Sequence, residues 1–142
     1  MKEYKKTYWP LIAWCLAMVP AMLAVMPASE LFGMGQRETM ALMMAIIVLM
    51  LLLLFWMVWK GEYVYWINGG PSFEEAKAAG SEVRREYARK HLEVMFRGSA
   101  AAVVLLIAEC VLGAHELVIC LSASACIVAA VIPMIRIKWT RE

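Results

Sequence analysis

Glu109 is the only carboxylate inside a predicted apolar span, and His115 follows it by about a turn and a half of helix. Hydrocarbon penalises a bare carboxylate, so an acid at that depth is by default a functional residue and demands a partner. Either Glu109 and His115 form a polar site for proton coupling or ligand binding, or Glu109 makes a structural bond to His115 or a serine hydroxyl. Its nearness to the outer interface favours the structural role. A second group of residues is chemically soft: Cys15, Met18, Met22 and Met26 share a face of the first span, and Met40, Met43 and Met44 begin the second. Such ligands suit Cu(I), but no Cys-x-x-Cys pair or His-rich tract accompanies them. They read as flexible packing residues, and no metal is expected. Cys110 and Cys120 flank His115 at equal distance on opposite arms of a turn; a disulfide there requires matching faces, and free thiols are expected. The sequence carries no Gly-rich phosphate loop, nucleophile elbow or His/Glu metalloprotease run, so neither an enzyme nor a cofactor is expected.

The elements that position these groups are apolar helices. Of the 142 residues, 63% are hydrophobic, and the mean hydropathy is +0.68. A soluble domain of this length cannot hide that much apolar surface. The run from 39 to 59 is uncharged and long enough to cross the roughly 30 Å hydrocarbon core as one helix. Apolar residues are continuous rather than alternating, which selects helices over a β-barrel. The reading is an all-α integral membrane bundle of four transmembrane helices, at about 8–26, 39–59, 98–112 and 117–135, in a single domain. Pro20 is expected to kink the first span, and Pro27 to end it. The first span is too long, and its small-residue pattern too poor, for a cleaved signal peptide, so it reads as a retained anchor. The lipid bilayer is the first partner. Basic residues are interleaved with glutamates beside apolar runs, and the net charge is only +2, so no nucleic-acid partner is expected.

Lys2, Lys5 and Lys6, the basic residues of the segment between spans 2 and 3, and Arg136, Lys138 and Arg141 all fall on one side. The tryptophans and tyrosines near Trp9, Trp59 and Trp139 mark the same side. By the positive-inside rule this predicts a plasma (inner) membrane protein with both termini cytoplasmic. Within the cytoplasmic segment, Asn68-Gly69-Gly70-Pro71 is turn chemistry, and Ser72 with Glu75 forms a capping-box signature. An amphipathic cytoplasmic helix over about 73–97 is expected, supported by the pairs Glu86–Lys90 and Glu93–Arg97 and weakened at Gly80. Its apolar side (Val83, Tyr87, Leu92, Met95, Phe96) is expected on the membrane surface or beneath the bundle. Arg84, Arg85, Arg89 and Lys90 make it the candidate interaction helix for a protein partner on the cytoplasmic side. Small residues recur at helical spacing as Ala13/Ala17/Ala21, Gly98/Ala102 and Ser122/Cys126/Ala130. They predict close packing within the bundle, with a homo-oligomer seam as the alternative. The second span lacks such a stripe and is expected to face lipid.

Ile67-Asn68-Gly69, then Ser72 with Glu74-Glu75 and Lys77, then Tyr87, Lys90, Leu92 and Met95-Phe96-Arg97-Gly98 before a helical hairpin resemble a group of small, uncharacterised bacterial multi-pass membrane proteins. The similarity covers about residues 45 to 137. Departures are the extra first span, Gly70-Pro71 where a Tyr-Asn type pair is usual, and a longer charged helix. That group carries no established activity. Its layout is similar to that of membrane proteins giving immunity to secreted bacterial toxins, an analogy of architecture. The most locally specified polar element is Ser72 to Arg97, whereas the spans show little polarity; the leading expectation is therefore a noncatalytic interaction, regulatory or immunity partner acting through this cytoplasmic helix. The rival expectation is a small-solute or ion transporter or channel subunit with Glu109 lining the path.

Overall fold

The computed structural model describes residues 4–139; Lys2 and Arg141 of the basic tails lie outside them. Helix α1 (Trp9–Leu23) and α2 (Val25–Leu31) together form the first span. Helix α3 (Gln36–Gly61) is the second, the short α4 (Phe73–Ala78) follows a turn of 3-10 helix at Val64–Trp66, and α5 (Ser81–Leu112) and α6 (Glu116–Ile135) complete the bundle. All four long helical stretches are long and apolar enough to cross a membrane. Tyr4 stacks on Phe73 and Trp139 packs edge-on against Tyr87, so both ends of the described chain lie at the end of the bundle that holds α4. We term this the basic end, and the opposite one, at the α5–α6 turn, the hairpin end.

The first span runs past the expected stop at Met26. Pro27 sits in the first turn of α2, where a missing N–H is tolerated. It gives no bond to the Leu23 carbonyl, and the helix is interrupted beside it, at Ala24, rather than ended.

A helix does lie between spans 2 and 3, but it is six residues long, not the expected 73–97. The capping box starts it: Ser72 Oγ accepts from the Glu75 amide at 3.2 Å, and Glu75 Oε2 accepts from the Ser72 amide at 2.9 Å. Extended backbone at Ala79 and Gly80 then stops it. Residues 81–97 belong instead to the third span, whose 32 residues form one unbroken helix. At 1.5 Å per residue this exceeds the hydrocarbon core by roughly half, so α5 carries a polar extension of the span rather than a surface helix. Of the apolar side of that extension Tyr87 and Met95 are buried, Val83 and Leu92 are half-buried, and Phe96 is left exposed.

Expectation is also corrected for the second span. Helix α3 is the centre of the bundle and touches α1, α2, α5 and α6. Its Met40 and Met44 fill space around Leu106, Ile119 and Ala123, so the thioethers serve as packing material. Ala41 and Ala45, one turn apart on α3, pack against the same cluster, and α5 and α6 supply further small residues. A Cβ on Gly98 would lie 2.5 Å from that of Ala130, and Ala102, Ala123 and Ala130 are buried. In the stripe Ala13/Ala17/Ala21 on α1, Ala13 and Ala17 are exposed and Ala21 is half-buried, and no residue of α1 is buried. A hydrogen bond from Trp14 Nε1 to the Met50 carbonyl, 2.8 Å, ties α1 to α3.

Candidate functional site

The densest polar chemistry lies at the basic end. Glu62 follows α3 in a left-handed conformation, φ 58° and ψ 30°, where glycine is the usual occupant. That turn aims its carboxylate at the first turns of α5. Ser81 Oγ donates to Oε1 at 2.6 Å, Arg85 Nε to Oε1 at 2.9 Å, and Arg84 Nε to Oε2 at 2.8 Å. Burial raises the Glu62 pKa, but the Ser81, Arg84 and Arg85 donors outweigh it and hold the group below the ordinary carboxylate value. Arg84 also donates through Nη1 to the carbonyls of Ala76 and Ala79, closing the exposed end of α4. Its guanidinium lies 4.0 Å from the centre of the Tyr4 ring, and the Tyr4 hydroxyl donates to the Glu62 carbonyl at 2.7 Å. Burial pushes the Tyr4 phenol well above its usual range. Glu62 and Arg84 together thus join span 2, α4, span 3 and the amino-terminal tail.

Aromatic rings seal this knot. Tyr65 Oη donates to the Thr7 carbonyl at 2.8 Å and accepts from the Thr7 amide at 2.9 Å; Trp66 Nε1 reaches the same carbonyl at 3.2 Å. Tyr63 stacks on Trp66 with ring centres 4.2 Å apart. Gly61 makes room for this, since a Cβ there would overlap the Tyr63 ring.

Of the candidate interaction residues, Arg84 is drawn into the knot, its side chain only 9% exposed. It therefore lies off the outward face expected for it. Arg85 is 63% exposed while bound to Glu62. Arg89 and Lys90 point outward and pair with Glu86 at 2.8 and 3.6 Å, and Arg89 also meets Glu93 at 3.5 Å. The expected Glu86–Lys90 pair forms, whereas Glu93 turns back to Arg89 rather than forward to Arg97.

At the hairpin end, Glu109 and His115 are separated. Ser122 Oγ donates to Glu109 Oε2 at 2.9 Å across the α5–α6 interface. His115 caps α6 by accepting from the Leu117 amide at 3.2 Å, and its ring lies 3.5 Å from Glu116. Gly113, with φ 73°, turns the chain, and the Ala114 amide bonds back to the Glu109 carbonyl at 2.8 Å. Arg37 Nε donates to the Ala114 carbonyl at 2.9 Å, tying span 2 to the hairpin. All four cysteines are free thiols.

Two depressions stand out among the described residues. A groove of about 570 Å³ lies between α3 and α5, walled by Leu49, Leu52, Leu53, Trp56 and Phe96. A cleft of about 300 Å³ separates the start of α5 from the carboxyl-terminal tail and carries Glu82, Glu86, Lys90 and Lys138. Glu109 lines neither. Glu62 was missed as a site residue because its importance depends on a turn that brings together residues about twenty apart. The only local signal is a charged residue immediately after Gly61 at the end of an apolar run.

Fold and site together define a multi-pass helical membrane protein with an ion-pair knot at one end. No family model, curated protein or solved structure matches the chain.

Proposed function

We propose that this chain is a noncatalytic bacterial inner-membrane protein that acts as an interaction, regulatory or immunity partner through the exposed charged face at the start of α5. The carrying observation is that this face is presented rigidly. Arg85 is pinned by Glu62 beside the buried Arg84, so the outward Glu86, Arg89 and Lys90 ride on a fixed helix and need little ordering to bind. The chemistry it offers is a mixed-charge strip suited to a complementary protein surface. Orientation with the basic end and both termini in the cytoplasm is supported by the concentration there of Lys60, Lys77, Arg85, Arg89, Lys90 and Lys138, against Arg37 at the hairpin end.

The test is a photo-crosslinking residue placed at Arg89 in the full chain in cells, with a second at Leu121 on the exposed side of α6. A protein adduct at 89 that disappears on Lys90→Glu supports the reading. Equal labelling at both positions, or an adduct indifferent to charge reversal, sinks it. Thiol labelling of Ser72→Cys and Glu116→Cys in a cysteine-free chain from either side of sealed vesicles tests the orientation.

The Glu109–Ser122 bond sustains one rival, a solute or ion transporter subunit with Glu109 on the path. That reading requires flux in proteoliposomes that Glu109→Gln abolishes, and it fails if wild-type protein moves no ion or amine.

A further inference from the structure

Helices α3 and α5 run antiparallel, with Glu62 against Ser81 and Arg85 at the basic end, and Met40, Met44 and Ala45 around Leu106 towards the other. Arg97 is twelve residues beyond Arg85, so its backbone lies roughly 18 Å down the axis from the knot. That depth is beside Met50, well within the uncharged run of α3. An arginine there is costly unless its head escapes or finds an anion.

Its direction of escape is fixed. Side chains on a helix lean towards the amino terminus, which for α5 is the basic end. Arg97, Glu93 and Trp56 line the same groove, and a guanidinium that follows this lean is directed back along it towards the basic end. Arg89 already holds Glu93 at 3.5 Å, and among the described residues no carboxylate lies within ion-pair distance of Arg97. Below this cation the groove is hydrocarbon. Phe96 is 60% and Leu49 57% exposed, and the volume of about 570 Å³ falls in the range of ligand pockets.

A cation at interfacial height above an apolar trough, open sideways between two spans, needs an anion joined to an alkyl chain. We propose that this groove is a binding site for one glycerophospholipid, with its phosphodiester on the Arg97 guanidinium and an acyl chain along Leu49, Leu52, Leu53 and Phe96. The bilayer surrounding the spans supplies that ligand at high local concentration, which a soluble anion does not match. Trp56 also lines the groove, and an indole is favoured at the interface where a lipid's glycerol lies. Glu93, lining the same groove, repels further negative charge, so a headgroup whose only anion is the phosphodiester fits best; the ammonium of phosphatidylethanolamine is complementary to Glu93.

Native mass spectrometry of the full chain in detergent, with dioleoyl phosphatidylethanolamine, dioleoylglycerol or inorganic phosphate added, tests this. The wild type should hold one phospholipid, and neither diacylglycerol nor inorganic phosphate should compete. Arg97→Gln should lower the bound fraction about tenfold, the value of one charge-assisted bond, while Arg97→Lys keeps most of it. Leu53→Trp, which fills the trough from a partly exposed position, should also displace the lipid, and it stands as an independent test if Arg97→Gln does not fold. Diacylglycerol binding as well as phospholipid, or adducts unchanged in both Arg97→Gln and Leu53→Trp, overturns the proposal. So does a lipid-free dimer that crosslinks through Leu53→Cys, which would assign the groove to a second copy of the chain.

Discussion

Arg84 Nε lies 2.8 Å from Glu62 Oε2, and both side chains are nearly closed to solvent, at 9% and 13% exposure. Their positions link the first residue after span 2 to the first turn of span 3. Everything between them, including the aromatic turn and α4, is held as a closed loop. The same arginine satisfies two carbonyls of the α4 end, so it does the work of a helix cap as well as an ion pair. A left-handed backbone at a non-glycine residue costs about 1 kcal/mol, and here the carboxylate offsets that cost.

Glu62→Gln should therefore lower stability by about 2 to 3 kcal/mol, because it leaves a buried guanidinium short of its counter-charge. Glu62→Gly relieves the backbone but loses every side-chain bond, and should still be less stable than wild type. Thermal unfolding in detergent measures both. A Glu62→Gly protein as stable as wild type would show that the knot contributes nothing beyond its turn.

The depressed pKa of Glu62 gives stability a pH dependence of known sign. A carboxyl that is more acidic when folded than its ordinary value of 4.5 stabilises the fold above that value. The contribution is lost as pH falls through the folded-state pKa. The contribution of Glu62 to the melting temperature should be constant from about pH 8 to about pH 5 and then fall, and Glu62→Gln should remove that part of the acid limb. An acid limb of unchanged depth in Glu62→Gln would assign it to other carboxylates.

Gly98 sets how closely α5 approaches α6. A Cβ at Gly98 would lie 2.5 Å from the Ala130 Cβ, so Gly98→Ala must push the helices apart at an expected cost of about 1 to 3 kcal/mol. Ala130→Gly vacates the same space and should recover much of that loss in the double variant. Additive losses in a double-mutant cycle, read by thermal unfolding, would mean the two positions do not share one contact.

The sequence showed the apolar helices plainly because length and uncharged runs survive any packing arrangement. The capping box at Ser72 and Glu75 was equally legible, since both partners lie within one turn. What sequence reading missed depends on distance along the chain. Nothing local to Glu62 shows that Ser81, Arg84 and Arg85 converge on it. Nor does an amphipathic pattern over 81–97 reveal that the helix continues into the span; only Gly80, read as a weak point, marked the true break. The misplacing of α3 has a similar origin. Small residues on α5 and α6, with only the pair Ala41 and Ala45 on α3 itself, let a bulky helix sit centrally, and a search for a longer stripe on α3 passes over that pair. In the candidate site, Glu109 was found because an acid among apolar residues stands out, and a serine hydroxyl was among its expected partners.

That pairing leads to the last expectation. Ser122 donates to Glu109 across the α5–α6 interface, and an amide oxygen in the same place can still accept that bond. If the role of Glu109 is structural, Glu109→Gln should change stability by less than about 1 kcal/mol, and Ser122→Ala should lower it by about 1 kcal/mol. Glu109→Leu then leaves the Ser122 hydroxyl only its bond to the Ile119 carbonyl, at 3.1 Å, and should cost no more than Ser122→Ala. Thermal unfolding of the three variants orders them directly. A large loss for Glu109→Gln with little for Ser122→Ala would show that the charge itself matters, and would move the weight of evidence to a transport path through this residue.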